Sequence, residues 1–226
     1  MIWDAQTSEL ARFESSSIVR FSLLALSSIF FLVDPFAAMP TFLAVTANQD
    51  PAKRVRTARK ASLSAFIILT LFAFAGKYIF KLFGITIPAF EIAGGVILLL
   101  IGLDMLEAKR SPTQESPGET QDATEKDDVG IVPMGIPMLA GPGAITSVMV
   151  LVGQVQATWQ MIAVLGSIAI TALICFVVLG SATRVARLLG DTGIRILVRI
   201  MGLLLVALAV QYFVNGLQDL GVIGKV

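Results

Sequence analysis

Asp34 stands in the middle of a long apolar run and is followed directly by Pro35. A carboxylate in hydrocarbon is costly enough to count as a functional candidate by default, able to hold an amino group or exchange a proton. Its structural alternative is the N-cap of a helix that begins at Pro35, and the two roles are compatible. A matching interruption, Leu139-Ala140-Gly141-Pro142-Gly143-Ala144, lies at the equivalent place in the second half of the chain. There almost no side-chain bulk covers the backbone, so the N–H groups of a helix start can receive a ligand carboxylate. The hydroxyls of Thr41 and Thr46 in the first half, and of Thr146 and Ser147 in the second, lie close in sequence to the breaks. Hydroxyls in apolar helices commonly bond the carbonyl of the preceding turn, and each of these has that alternative. The candidate binding set is Asp34, Pro35, Thr41, Gly141, Pro142, Gly143, Ala144 and Thr146, with Asp34 also the candidate for proton coupling.

Other chemistry is largely excluded by composition. The 226 residues contain no His and a single Cys, Cys175, within an apolar run. Histidine-based triads, disulfides and most transition-metal sites are therefore ruled out, and Cys175 reads as a small buried hydrophobe. No Walker A pattern is present, so ATP is not a direct energy source in this chain. We expect no catalytic residue, no resident metal and no cofactor.

The elements that must position these residues are membrane helices. The chain is 56% hydrophobic with a mean hydropathy of +0.83, and its apolar runs reach the roughly 20 residues that cross about 30 Å of hydrocarbon. Six such segments are predicted, at about residues 18–48, 58–83, 88–108, 131–155, 159–183 and 193–216. The first would run about 46 Å as unbroken helix, too long for one span but suited to two half-helices joined by a turn. Proline removes an N–H and clashes with the preceding turn, while glycine loosens the backbone, so 34–40 and 137–143 should not be continuous helix. Freed backbone groups cannot face lipid and must be buried in protein or line a wet cavity. Matched interruptions of this kind point to a transporter binding site.

Twelve of the 17 Lys and Arg residues fall after the first, third and fifth segments, as in Lys53 to Lys60 and Arg184 to Arg199. These stretches are expected to be cytoplasmic, which puts both termini outside. Their expected neighbours are lipid headgroups rather than nucleic acid. Residues 1–17 are polar and acidic, without the basic start of a secretory leader, so the first apolar run is expected to remain as an anchor. Residues 109–130, with Ser111-Pro112, Ser116-Pro117-Gly118 and six acidic residues from Glu115 to Asp128, read as a flexible cytoplasmic linker. The expected organisation is an outward N-terminus (1–17), a three-helix repeat (18–108), the linker, a second three-helix repeat (131–216) and an outward tail (217–226).

Three spans per block make the second block enter the membrane from the opposite side. A shift of 107 residues lays Leu32, Pro35, Ala37 and Val45 on Leu139, Pro142, Ala144 and Val152. A shift of 108 lays Ile92, Gly94 and Leu100 on Ile200, Gly202 and Leu208. The fold class that follows is an all-α membrane protein of six transmembrane helices in two inverted three-helix repeats, with helices 1 and 4 broken near mid-membrane. Glu91 and Asp104 lie toward the ends of the third segment, where a long side chain can reach the interface. Gly94-Gly95 and Gly202 read as close-packing points between helices.

Asp34-Pro35, Pro40 and Phe42, then Pro133, Gly135-Ile136-Pro137, Gly141 through Thr146, and Ile200-Met201-Gly202-Leu203-Leu204-Leu205 resemble the MarC family of multi-pass inner-membrane proteins. The resemblance covers the chain apart from about the first 15 residues and the linker. It departs from the family pattern at Ala37 and Ala38, where Gly and Asn are usual, and at Glu91, where a basic or neutral residue precedes Ile-Ala-Gly-Gly. The resemblance implies a bacterial inner-membrane transporter of small amino acids or related metabolites. The expected mechanism is secondary transport, with substrate between the broken helices: backbone N–H groups at 141–144 hold its carboxylate, and Asp34 holds its amino group or a coupling proton. A passive small-solute channel and a non-transporting subunit of a membrane assembly are the alternatives.

Overall fold

The computed structural model describes residues 2–107, 130–132 and 134–224, with side chains from Ser17 onward except at 137 and 191. All regular structure among these residues is helical. The order is α1 (Ile2–Val33), α2 (Ala38–Val45), α3 (Pro51–Phe83), α4 (Ile87–Leu106), a wide turn at Met134–Leu139, then α5 (Pro142–Gly153), α6 (Thr158–Gly180) and α7 (Ala182–Asp219). Four stretches are long and apolar enough to cross a membrane: α3, α4, α6 and Thr192–Asp219 of α7. Ser17–Val33 with Ala38–Val45 makes a fifth, bent by 45° at the break. The chain is thus an integral membrane protein by length and composition of its helices.

Local chemistry sets the boundaries. Asp50 Oδ1 accepts from Lys53 N at 2.8 Å and Pro51 occupies the first turn, so α3 starts at 51. The basic residues 53–60, expected in a loop, are instead the first turns of this helix. At 33 residues it runs about 50 Å, longer than the hydrocarbon, so its charged start can stand beyond the membrane. Gly84, at φ +64°, closes the far end in a left-handed cap, with Ile85 N donating to Phe80 O at 2.9 Å. Thr86 then caps α4 through Ala89 N. Gly190, also at φ +64°, divides the basic start of α7 from its apolar span. The linker expected at 109–130 lies, apart from Gly130, outside the described residues.

The two shortest helices form the centre. From Thr146 to Val152 every residue of α5 is buried, and Ala38, Met39, Thr41, Phe42 and Val45 of α2 are buried as well. Around them the long helices turn apolar side chains outward, with Leu71 61%, Leu173 62% and Leu203 59% exposed. That is the pattern of a lipid-facing exterior.

The most extensive helix pair is α4 with α7. A Cβ built at Gly95 would lie 3.0 Å from Ala209 O, and one at Gly102 would lie 3.0 Å from Gly202 O. Numbers rise along α4 as they fall along α7, so the two run antiparallel, and glycines bring their backbones together. Packing of α1 on α6 is mirrored by packing of α3 on α5 and on the Met134–Leu139 turn.

Candidate functional site

The first interruption is built on Asp34. Its N–H donates to Phe30 O at 3.0 Å and ends α1, while its φ of +41° lies in the left-handed region. That region is disfavoured for most side chains but tolerated by Asp, whose short polar group bonds locally. Asp34 Oδ1 accepts from Ala37 N at 3.0 Å, and Asp34 O accepts from Ala38 N at 3.3 Å. One residue thereby closes α1 and holds the turn at 35–37; the helix expected to begin at Pro35 begins instead at Ala38, whose N-cap, Ala37, has no side-chain cap. The other oxygen, Oδ2, is buried without a hydrogen-bond partner among the described residues. Holding the turn uses half of this carboxylate.

The second interruption is longer. Ile136 is extended (φ −135°, ψ 126°) inside the Met134–Leu139 turn, as expected of a residue before proline. Gly141 is extended too, and Pro142 opens α5 with no side chain capping it. The first N–H groups of this buried helix, at Gly143 and Ala144, therefore have no side-chain acceptor from the N-cap.

These two breaks meet. A Cβ at Gly143 would stand 3.9 Å from Leu32 Cδ2, two residues before Asp34. Met138 from the second break shares a small cavity with Asp34, Ala37 and Ala38, closed by Met105 of α4 and Leu205 of α7. The cavity has room for roughly one water molecule. Cys175 of α6, fully buried, is close enough to Asp34 to feel its charge. The conformation is closed around the carboxylate.

The other expected site residues distribute unevenly. Pro35, Thr41, Gly141 and Ala144 are buried beside the two breaks. Gly143 is covered by Leu98, whose Cδ2 would be 2.7 Å from a Cβ there. Thr146 Oγ1 donates to Pro142 O at 2.8 Å, and its methyl group presses on Gly94. Its hydroxyl thus serves the helix, as does that of Thr46, which donates to Phe42 O at 2.6 Å. Among the described residues no group of three or more His, Cys, Asp and Glu side chains could hold a metal ion.

Glu91 corrects the sequence reading. Expected to reach the interface, it is only 1% exposed. Its Oε1 accepts from Gln154 Nε2 at 3.2 Å, because the end of α5 packs on the start of α4. The rule that marks an intramembrane carboxylate as a candidate applied to Glu91 as to Asp34. Its place near the end of an apolar run was the misleading cue.

The opposite, basic end of the bundle is tied by Arg54. Its guanidinium donates to Thr46 O at 3.0 Å and to Thr183 Oγ1 at 2.6 Å, joining the end of α2 to the start of α7.

Residues 19–220 match a family described as MarC family integral membrane protein. The UPF0056 membrane protein MJ1677 of Methanocaldococcus jannaschii is 40% identical over 200 residues, covering 88% of this chain and 97% of the relative. The UPF0056 membrane protein YhcE of Escherichia coli is 35% identical over 192 residues, covering 85% and 89%. No solved structure matches.

Proposed function

Because the chain belongs to the MarC family of integral membrane proteins, we propose that it is a secondary transporter of small amino acids or related metabolites, working at the inner membrane. The observation that carries this reading is the meeting of two helix breaks around a half-used carboxylate and an uncapped helix N-terminus. A zwitterion matches that pair. Its carboxylate is drawn to the N–H groups at Gly143 and Ala144, and its amino group to Asp34 Oδ2. Pro35 lies in that turn and Thr41 in the first turn of α2, while Gly141 and Pro142 present the helix start.

The closed cavity fits an occluded state of an alternating-access cycle better than an open pore. We read the Met134–Leu139 turn together with α5 as a broken sixth span, equivalent to α1 with α2. The antiparallel run of α4 and α7 and the mirrored packing of α1 on α6 and α3 on α5 support two inverted three-helix repeats. Both termini then face outward, with the Arg54 end in the cytoplasm.

Uptake and exchange in proteoliposomes, with a panel of small amino acids and with or without a pH gradient, tests the proposal. Saturable flux that Asp34→Asn reduces at least tenfold is expected. Linear, non-saturating flux would favour a channel, and wild-type flux in Asp34→Asn would remove Asp34 from the site.

A further inference from the structure

A second buried carboxylate lies outside the Asp34 site. Glu91 is one turn into α4, with Oε1 bonded to Gln154 Nε2 and Oε2 buried without a partner among the described residues. On α5, Ser147 is fully buried and its Oγ also lacks a hydrogen-bond partner among those residues. Tyr212 of α7, 8% exposed, lies against Ser147 and within reach of the Glu91 charge. Three helices thus converge on a carboxylate, whose Oε2 is orphaned, and three neutral polar groups, with the Ser147 hydroxyl facing Tyr212. A buried orphan costs the full desolvation of the group, so a guest or a proton is called for.

The donor set selects the guest. One negative charge among neutral groups balances one positive charge, and a divalent ion would be left overcharged in apolar surroundings. A metal cation also needs a ring of oxygens. Here the α4 carbonyls are engaged in the helical ladder, and at the end of α5 Val150 O and Val152 O already accept from Gln154 N and Val155 N. A proton needs a single carboxyl oxygen and one acceptor. Since Oε1 already receives an N–H, it is the carbonyl end, and Oε2 is the place for the hydroxyl hydrogen.

We propose that Glu91, with Gln154, Ser147 and Tyr212, forms a proton-binding site separate from Asp34. The proton comes and goes by the open end of the bundle. A cleft of about 480 Å³ there is lined by Ile87, one turn before Glu91, and by Gly153, the neighbour of Gln154. The charged groups facing the site are Asp219 of α7, which acts on Glu91 through space, and Lys77 and Lys81 of α3, which flank the cleft. Within the transport reading, on which this consequence alone rests, Glu91 takes the coupling proton and leaves Asp34 free for the substrate amine.

Infrared difference spectra of the purified protein in lipid nanodiscs, recorded across a pH titration, test this directly. The wild type should show a carboxylic-acid carbonyl band that disappears as pH rises, is lost in Glu91→Gln and is kept in Asp34→Asn. Gln154→Leu, which keeps the carboxyl but removes the N–H on Oε1, should shift that band to higher wavenumber. This second variant gives a readout if Glu91→Gln fails to fold. A band untouched by Glu91→Gln, no shift in Gln154→Leu, or a band displaced by sodium chloride but not by choline chloride overturns the proposal. Uptake failing with the band intact sinks the transport reading alone. Intact uptake without a Glu91 band sinks this one alone.

Discussion

Gly102 and Gly202 face each other across the α4–α7 contact, each pointing its missing side chain at the other's carbonyl. A Cβ on Gly102 would lie 3.0 Å from Gly202 O, and one on Gly202 would lie 2.9 Å from Gly102 O. Backbone obstructs both sides, beside the still nearer Val206 Cγ2 and Met105 Cβ at 2.8 Å, so turning a rotamer alone relieves neither contact. Gly102→Ala and Gly202→Ala should each cost about 1–3 kcal/mol, the usual penalty of overpacking. Once the helices have been pushed apart the second change should cost less, so the double variant falls short of additive. Gly166→Ala, with open space around it, is the control and should be neutral or slightly stabilising. Thermal unfolding in detergent, read by size-exclusion chromatography, gives the comparison.

A side chain at Gly94 collides with the methyl of Thr146, the tightest glycine contact among the described residues. Here the neighbour is a removable group. Gly94→Ala should destabilise by about 1–3 kcal/mol, and Thr146→Ser in the same chain should restore most of the loss. Serine keeps the hydroxyl that bonds Pro142 O while deleting the colliding carbon. A double-mutant cycle on thermal stability checks this, and full additivity would contradict it.

Asp34 separates into two functions that two substitutions distinguish. Asn retains an acceptor for Ala37 N and tolerates the left-handed backbone, so Asp34→Asn should keep its unfolding temperature while losing transport. Asp34→Ala loses the cap and places an unsuited residue at φ +41°, for about 1–3 kcal/mol of destabilisation. If Asn proved as unstable as Ala, the charge rather than the cap would be holding the turn.

Much of the architecture was legible because its signals are local. Pro35, Pro137 and the Gly141-Pro142-Gly143 run restrict their own backbone, and both breaks occur where they stand. The start of α3 was missed although Asp50-Pro51 is itself a helix-start signal; the charge of 53–60 drew attention from it. Glu91 belongs to another class. Its burial depends on Gln154 and Tyr212 arriving from helices 63 and 121 positions away, and no local pattern around residue 91 encodes that.

Arg54 ties the basic end together, holding Thr46 O of its own half of the chain and Thr183 Oγ1 of the other. Charged hydrogen bonds of this partly exposed kind contribute about 1–2 kcal/mol in all, enough to shift an open–closed equilibrium about tenfold. Ala38 is buried on the cavity that also holds Asp34. In a Cys175→Ser background, Ala38→Cys should therefore react slowly with a membrane-impermeant thiol reagent. Arg54→Ala should speed that labelling about tenfold, and only with reagent on the side carrying the basic residues. Lysine reaches one acceptor where the guanidinium fork reaches two, so Arg54→Lys should fall between. Equal labelling in all three would mean that the Arg54 bonds do not govern access. Faster labelling from the opposite face would reverse the assigned orientation.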